Sequence, residues 1–120
     1  MLHNMRPLGI HHVNITVADM VAARTFYVDQ LGMTERTDRP DFSFDGAWLD
    51  LGSQQVHLVV GTPPDRNNDH FAIQVADIDA AIAELRERGL KVSDAMGVGT
   101  ARQCFLRDPF GNFLELQQPG

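Results

Sequence analysis

Apolar and polar residues alternate strictly through His12-Val13-Asn14-Ile15-Thr16-Val17. Val13, Ile15 and Val17 fall on one face and His12, Asn14 and Thr16 on the other, the period of a half-buried strand. The same alternation returns at His70-Phe71-Ala72-Ile73-Gln74-Val75. Each run is followed by an aspartate, Asp19 or Asp77, at the position where a short carboxylate caps the free amides of a helix. After Asp77, the residues Ile78, Ala81, Ile82 and Leu85 form an i, i+3, i+4, i+7 stripe. After Asp19, the residues Met20, Ala23, Tyr27 and Leu31 form a looser one. Gly32 and Gly89 stand where each helix should end.

Strand-like runs follow both helices, at Ala47 to Leu51 and Gln55 to Val60, then at Ala101 to Leu106 and Phe113 to Gln117. Gly52-Ser53 and Asp108-Pro109-Phe110-Gly111-Asn112 carry the turn chemistry between them. The two halves are also similar in sequence. His12 to Asp19 and His70 to Asp77 match at five of eight positions, with an offset of 58 (from 12 to 70). The pattern predicts an α+β fold of two tandem βαβββ modules, at about 9–61 and 70–118, with the linker at 62–69. Modules of about 55 residues are marginal alone, so they should pack on each other or on a second chain.

Composition narrows the setting. The 120 residues are 43% hydrophobic, enough for a real core, and 16 acidic residues outweigh 10 basic ones for a net charge of −6. That balance repels phosphate backbones, so a nucleic-acid partner is not expected. The single cysteine, Cys104, allows no intrachain disulfide and is assigned to the core. No apolar stretch reaches the roughly 18 residues that a membrane span needs. A cytoplasmic setting is the expectation.

The repeat also aligns chemistry. The same offset carries His57 onto Glu115, so four residues of metal-ligand type occupy two pairs of equivalent positions. Strand parity turns all four away from the apolar face, and they can converge if the strands curl into one barrel-like sheet. Two histidines and a carboxylate bind one divalent ion (Fe, Ni, Co, Mn or Zn) and leave positions open for a substrate. His12, His70 and Glu115 are therefore read as ligands. His57 is read as a fourth donor or an acid–base group, and Glu115 as the carboxylate placed to move a proton. His3 is assigned to a tail, and His11 is expected to face away from His12. Trp48, Phe42, Phe44 and Phe113 are assigned to core packing, with pocket lining as the alternative. Arg102, Gln103 and Arg107 could meet an anionic substrate, with solvated surface the preferred reading for the arginines.

Taken together, Ile10-His11-His12-Val13, Ala18-Asp19, Phe26-Tyr27, Leu31-Gly32, His70-Phe71-Ala72 and Asp108 to Leu116 resemble the vicinal oxygen chelate superfamily, which includes glyoxalase I, extradiol dioxygenases and bleomycin-resistance proteins. The resemblance covers about residues 9 to 118. It implies paired modules forming an open barrel around a divalent metal, with ligands at His12, His70 and Glu115. It implies a fourth ligand at the position of His57 in the glyoxalase branch, where glutamate or glutamine is usual, so this histidine departs from the pattern. It further implies a homodimer in which His12 and His57 of one chain meet His70 and Glu115 of the other. The leading expectation is a lyase or isomerase (lactoylglutathione lyase-like) acting on a small substrate with adjacent oxygens through a metal-bound enediolate. The alternatives are an Fe(II) extradiol ring-cleaving dioxygenase and a non-catalytic drug-binding resistance protein.

Overall fold

The computed structural model describes residues 5–65 and 68–120. His3 and part of the expected linker, Arg66 and Asn67, lie outside them. The chain builds β1 (His12–Val17), α1 (Met20–Arg24), a π-helical continuation (Thr25–Gln30), β2 (Thr34–Glu35), β3 (Gly46–Leu51) and β4 (Gln54–Val60). The second half gives β5 (His70–Gln74), α2 (Ile78–Glu87), β6 (Met96–Val98), β7 (Ala101–Arg107) and β8 (Phe113–Gln118).

Each half forms its own four-stranded mixed sheet, in the orders β1-β4-β3-β2 and β5-β8-β7-β6. In both, the first strand runs parallel to the last and the other pairs are antiparallel. The fold is therefore α+β with tandem βαβββ modules, as the periodicity predicts. The sheets remain open rather than closing on each other. The radius of gyration of 15.7 Å exceeds the about 13.6 Å of a compact chain this long.

Both helices start as expected. Asp19 accepts from the amides of Val21 and Ala22, and Asp77 from that of Ala80. The first helix departs from α geometry after Arg24. Ala23, Phe26 and Tyr27, at i, i+3 and i+4, all reach the core across this change of helical geometry. Gly32 and Gly89 follow the helices with φ near +85° and +86°, a conformation only glycine adopts cheaply.

The core gathers Ile15, Val17, Met20, Phe26, Tyr27, Leu49 and Leu58 with Ile78, Ile82, Leu85, Cys104, Leu106, Leu114 and Leu116. The halves are tied by polar contacts as well. The buried Tyr27 hydroxyl donates to Asp108 Oδ2 at 2.6 Å, and Asn112 Nδ2 donates to the Thr16 carbonyl at 2.9 Å. Burial, followed by the charge of Asp108, raises the Tyr27 phenol far above its ordinary range, so it remains a donor. Among the described residues, no helix is long and apolar enough to cross a membrane.

Candidate active site

Strand parity and register assign the polar side chains to one face of each sheet. In the first sheet His12 is opposite Gln55, Asn14 opposite His57, and His57 opposite Trp48. In the second His70 is opposite Phe113, Ala72 opposite Glu115, and Glu115 opposite Phe105. These residues share the open face of their sheet, while Ile15, Val56 and Leu58, or Ile73, Leu114 and Leu116, share the core face. Trp48 and Phe105 are thus equivalent neighbours of His57 and Glu115, an equivalence that the constant offset of 58 misses by one residue.

The second sheet holds a compact ligand-type pair. His70 Nε2 donates to Glu115 Oε1 at 2.9 Å, and His70 Nδ1 donates to the Asn68 carbonyl at 2.8 Å. A carbonyl can only accept, so Nδ1 carries a proton and Nε2 is the nitrogen turned to Glu115. Acceptors facing both nitrogens favour the protonated ring. The His70 pKa is raised accordingly, first by the Asn68 carbonyl and then by the bond and charge of Glu115, against desolvation. Glu115 itself is buried at 7% exposure. Phe105 and Phe113 stack at 5.1 Å and meet the His70 ring edge-on, at 5.8 and 5.3 Å, fixing its plane.

The first sheet is arranged differently. The rings of His12 and His57 stack at 3.9 Å and 15°, and His57 stacks in turn on Trp48 at 4.5 Å and 11°. His57 Nε2 donates to Gln55 Oε1 at 2.8 Å. Burial lowers the His57 pKa, and the nearby His12, His11, Arg36 and Arg39 add to the shift, which disfavours protonation of the ring. His11 was expected to face away, yet its Nδ1 lies 2.9 Å from His12 Nδ1. The strand begins only at His12, so the alternation that would separate neighbouring side chains does not apply to His11.

The four candidates therefore meet two by two, His12 with His57 and His70 with Glu115. Both His12 and His70 border one crevice of about 310 Å³ between the sheets, beside Ile10, Gln55, Phe71 and Ala72. The convergence of all four that a single curled sheet would give is not reached within one chain. Among the described residues, no group of three or more His, Cys, Asp or Glu side chains could hold a metal ion. The donors nonetheless suit one. A separation of 2.9 Å between His70 Nε2 and Glu115 Oε1 equals that of two ligands about 2.05 Å from an ion at a right angle.

The aromatic assignments are corrected. Phe42 and Phe44 are exposed, Trp48 and Phe113 are half-buried, and none belongs to the core. Their strand parity, or proximity to Trp48, sets them on the open face. Gln55 was not singled out, although its position one strand step from His57 was readable. Arg102 is paired with Asp79, at 2.8 and 3.0 Å. Arg107 donates to the Gly111 carbonyl and lies 4.4 Å over the Phe113 ring. Gln103 is half-buried opposite Gln117.

A family model described as Glyoxalase/Bleomycin resistance protein/Dioxygenase superfamily matches residues 9–116. A putative glyoxalase family protein from Bacillus anthracis has a similar structure, with a TM-score of 0.86 and 28% identity over 100% of both chains. TnmS3, an antibiotic binding protein from Streptomyces sp. CB03234, aligns at a TM-score of 0.80 and 26% identity, over 98% of this chain and 100% of that one. The lactoylglutathione lyase GLX1 of Arabidopsis thaliana is 27% identical over 91% of this chain and 44% of its own length.

Proposed function

The chain belongs to the glyoxalase/bleomycin resistance protein/dioxygenase superfamily, and from that premise we propose that it is a divalent-metal-dependent lyase or isomerase acting on a small substrate with adjacent oxygens. The observation that carries this reading is the His70–Glu115 pair, whose Nε2 and Oε1 lie 2.9 Å apart, with the ring held by the Asn68 carbonyl and by Phe105 and Phe113. Supporting bonds of this kind are what fix a metal-binding histidine. The resemblance to a lactoylglutathione lyase points the same way.

In this reading His12, His70 and Glu115 hold the ion. A bound divalent metal would supply Lewis-acid stabilisation of negative charge developing on adjacent substrate oxygens. The second oxygen of Glu115 has no hydrogen bond among the described residues, and this atom takes and returns the substrate proton. His57 can accept a proton at Nδ1 while Gln55 fixes its ring. Trp48, Phe105 and Phe113 exclude water from this exchange. Because one chain gathers only pairs, the complete site takes His12 and His57 from one copy and His70 and Glu115 from a second, in a homodimer.

Elemental analysis of the purified protein beside a His70→Ala control tests the reading. About one ion of Ni, Co or Zn per chain, lost in the control, is the expected result. No metal after reconstitution with each ion would overturn it and leave a binding protein, the class of TnmS3. A dimer of His12→Ala and Glu115→Ala chains tests the shared site, since mixing should restore one intact site that neither parent has.

One observation favours a second reading. His57 is stacked on both faces and engaged by Gln55, which suits an acid–base residue beside a three-ligand site better than a fourth ligand. An Fe(II) extradiol dioxygenase has that arrangement of roles. Bound iron with catechol-dependent oxygen uptake would select it.

A further inference from the structure

The open face of the first sheet carries an unbroken run of rings. His12, His57 and Trp48 are stacked, Trp48 meets Phe42 at 6.1 Å, and Phe42 stacks on Phe44 at 4.9 Å and 12°. Phe42 and Phe44 remain 39% and 49% exposed, so the run ends in apolar surface that water must cover. Arg39 closes it, with the guanidinium carbon 4.9 Å from the Phe42 centroid and 5.3 Å from that of Phe44.

Arg39 is unlike its neighbour Arg36. Two carboxylates, Asp38 and Asp50, neutralise Arg36. Arg39 donates from Nη2 to the Phe44 carbonyl at 3.0 Å, has no carboxylate partner among the described residues, and its Nε is buried without a hydrogen bond. The second sheet has a related arrangement at other positions. Phe105 and Phe113 are stacked, and Arg107 lies over Phe113 with no carboxylate partner among the described residues. In a chain of net charge −6, two arginines left uncompensated beside stacked rings are a specific charge pattern.

We propose that these two ring-and-arginine walls bind a planar aromatic ring bearing an acidic group, the ring lying against Trp48 and Phe42 and the acid turned to Arg39. Rings reward stacking with a flat partner, and a guanidinium without a carboxylate rewards an anion. The inference rests on the open face being the substrate site, and it names the class of substrate.

Trp48 is the only tryptophan, so its indole N–H resonance reports on this platform alone. The full chain, kept in EDTA, is titrated with 2-naphthoate by calorimetry and by that resonance. Cyclohexanecarboxylate and 2-naphthylmethylamine serve as the non-aromatic and cationic controls. The expected result is saturable binding that shifts the indole, about 10-fold tighter than for either control. Arg39→Gln should abolish the preference for the acid, and Phe42→Leu the preference for the ring, each with an unchanged circular dichroism spectrum. Equal binding of all three probes, or an unmoved indole, would overturn the proposal. His70→Ala separates the two readings. The variant should lose metal and keep naphthoate binding; wild-type protein that binds naphthoate but takes up no metal removes only the enzyme reading, whereas metal uptake without naphthoate binding removes only this one.

Discussion

The two sheets have the same strand order and the same pairing register, yet their open faces do opposite things. The second pairs a histidine with a buried carboxylate through a direct bond, and a backbone carbonyl holds the ring from behind. The first stacks two histidines on a tryptophan and uses a glutamine amide to hold one of them. The backbone repeat is therefore not a repeat of chemistry. One half is organised around charge, the other around ring faces.

The strongest way to break this contrast is to remove one member from each half. In the proposed metal site, Glu115→Ala should weaken metal binding by more than the about 10- to 100-fold that supporting groups typically contribute. His57→Phe keeps the stack and should cost less than about 10-fold. Calorimetric titration with Zn, Ni and Co measures both. Equal losses would make His57 a ligand and erase the distinction.

The turns differ as well. Between β3 and β4 the chain reverses through Gly52 and Ser53, while between β7 and β8 the five residues Asp108 to Asn112 reach across to the first half. Asp108 accepts from the Tyr27 hydroxyl, from the amides of Phe110 and Asn112, and from Asn112 Nδ2. Asp108→Ala strands buried donors and should destabilise the protein by about 3 kcal/mol, and Tyr27→Phe by about 1–2 kcal/mol. Ser53→Ala in the exposed turn should change little. Urea midpoints give all three.

A smaller effect separates the histidines. The His70 pKa is raised and that of His57 lowered from an ordinary value of 6.5. In the metal-free protein His70 therefore contributes stability that is present below pH 6.5 and lost as the pH rises through its raised pKa. His57 contributes the reverse, present above pH 6.5 and lost as the pH falls below it. Ring-proton NMR should show His70 titrating at a higher pH than His57. The smallest effect belongs to Cys104, which is fully buried and whose thiol burial pushes up. A thiol reagent should leave it unmodified until denaturant is added.

Most of the fold is legible because its signals are local. Strand parity, two aspartate caps and two glycines after the helices define the modules, and a repeated octapeptide shows that they are equivalent. That His70 and Glu115 both turn from the apolar face follows from parity, and their pairing is what the family resemblance implies. What could not be read depends on where a strand starts or on how the modules sit. His11 was misjudged because β1 begins one residue after it. Phe42, Phe44 and Trp48 were assigned to the core because an aromatic residue in sequence does not say which face it will join. The two-by-two meeting of the candidate ligands follows from the placement of one sheet against the other, and no periodicity encodes that.

Among the described residues, every β-ladder joins strands of the same half. The longest-range step in each half, His12 against Gln55 and His70 against Phe113, closes a loop of the same length. During synthesis, residues 12–60 can complete their ladder before the second half has left the ribosome. The chain thus has two assembly events of equal contact order. The first β-sheet can hold its register while still waiting for whichever second half, its own or a neighbour's, arrives to cover its core.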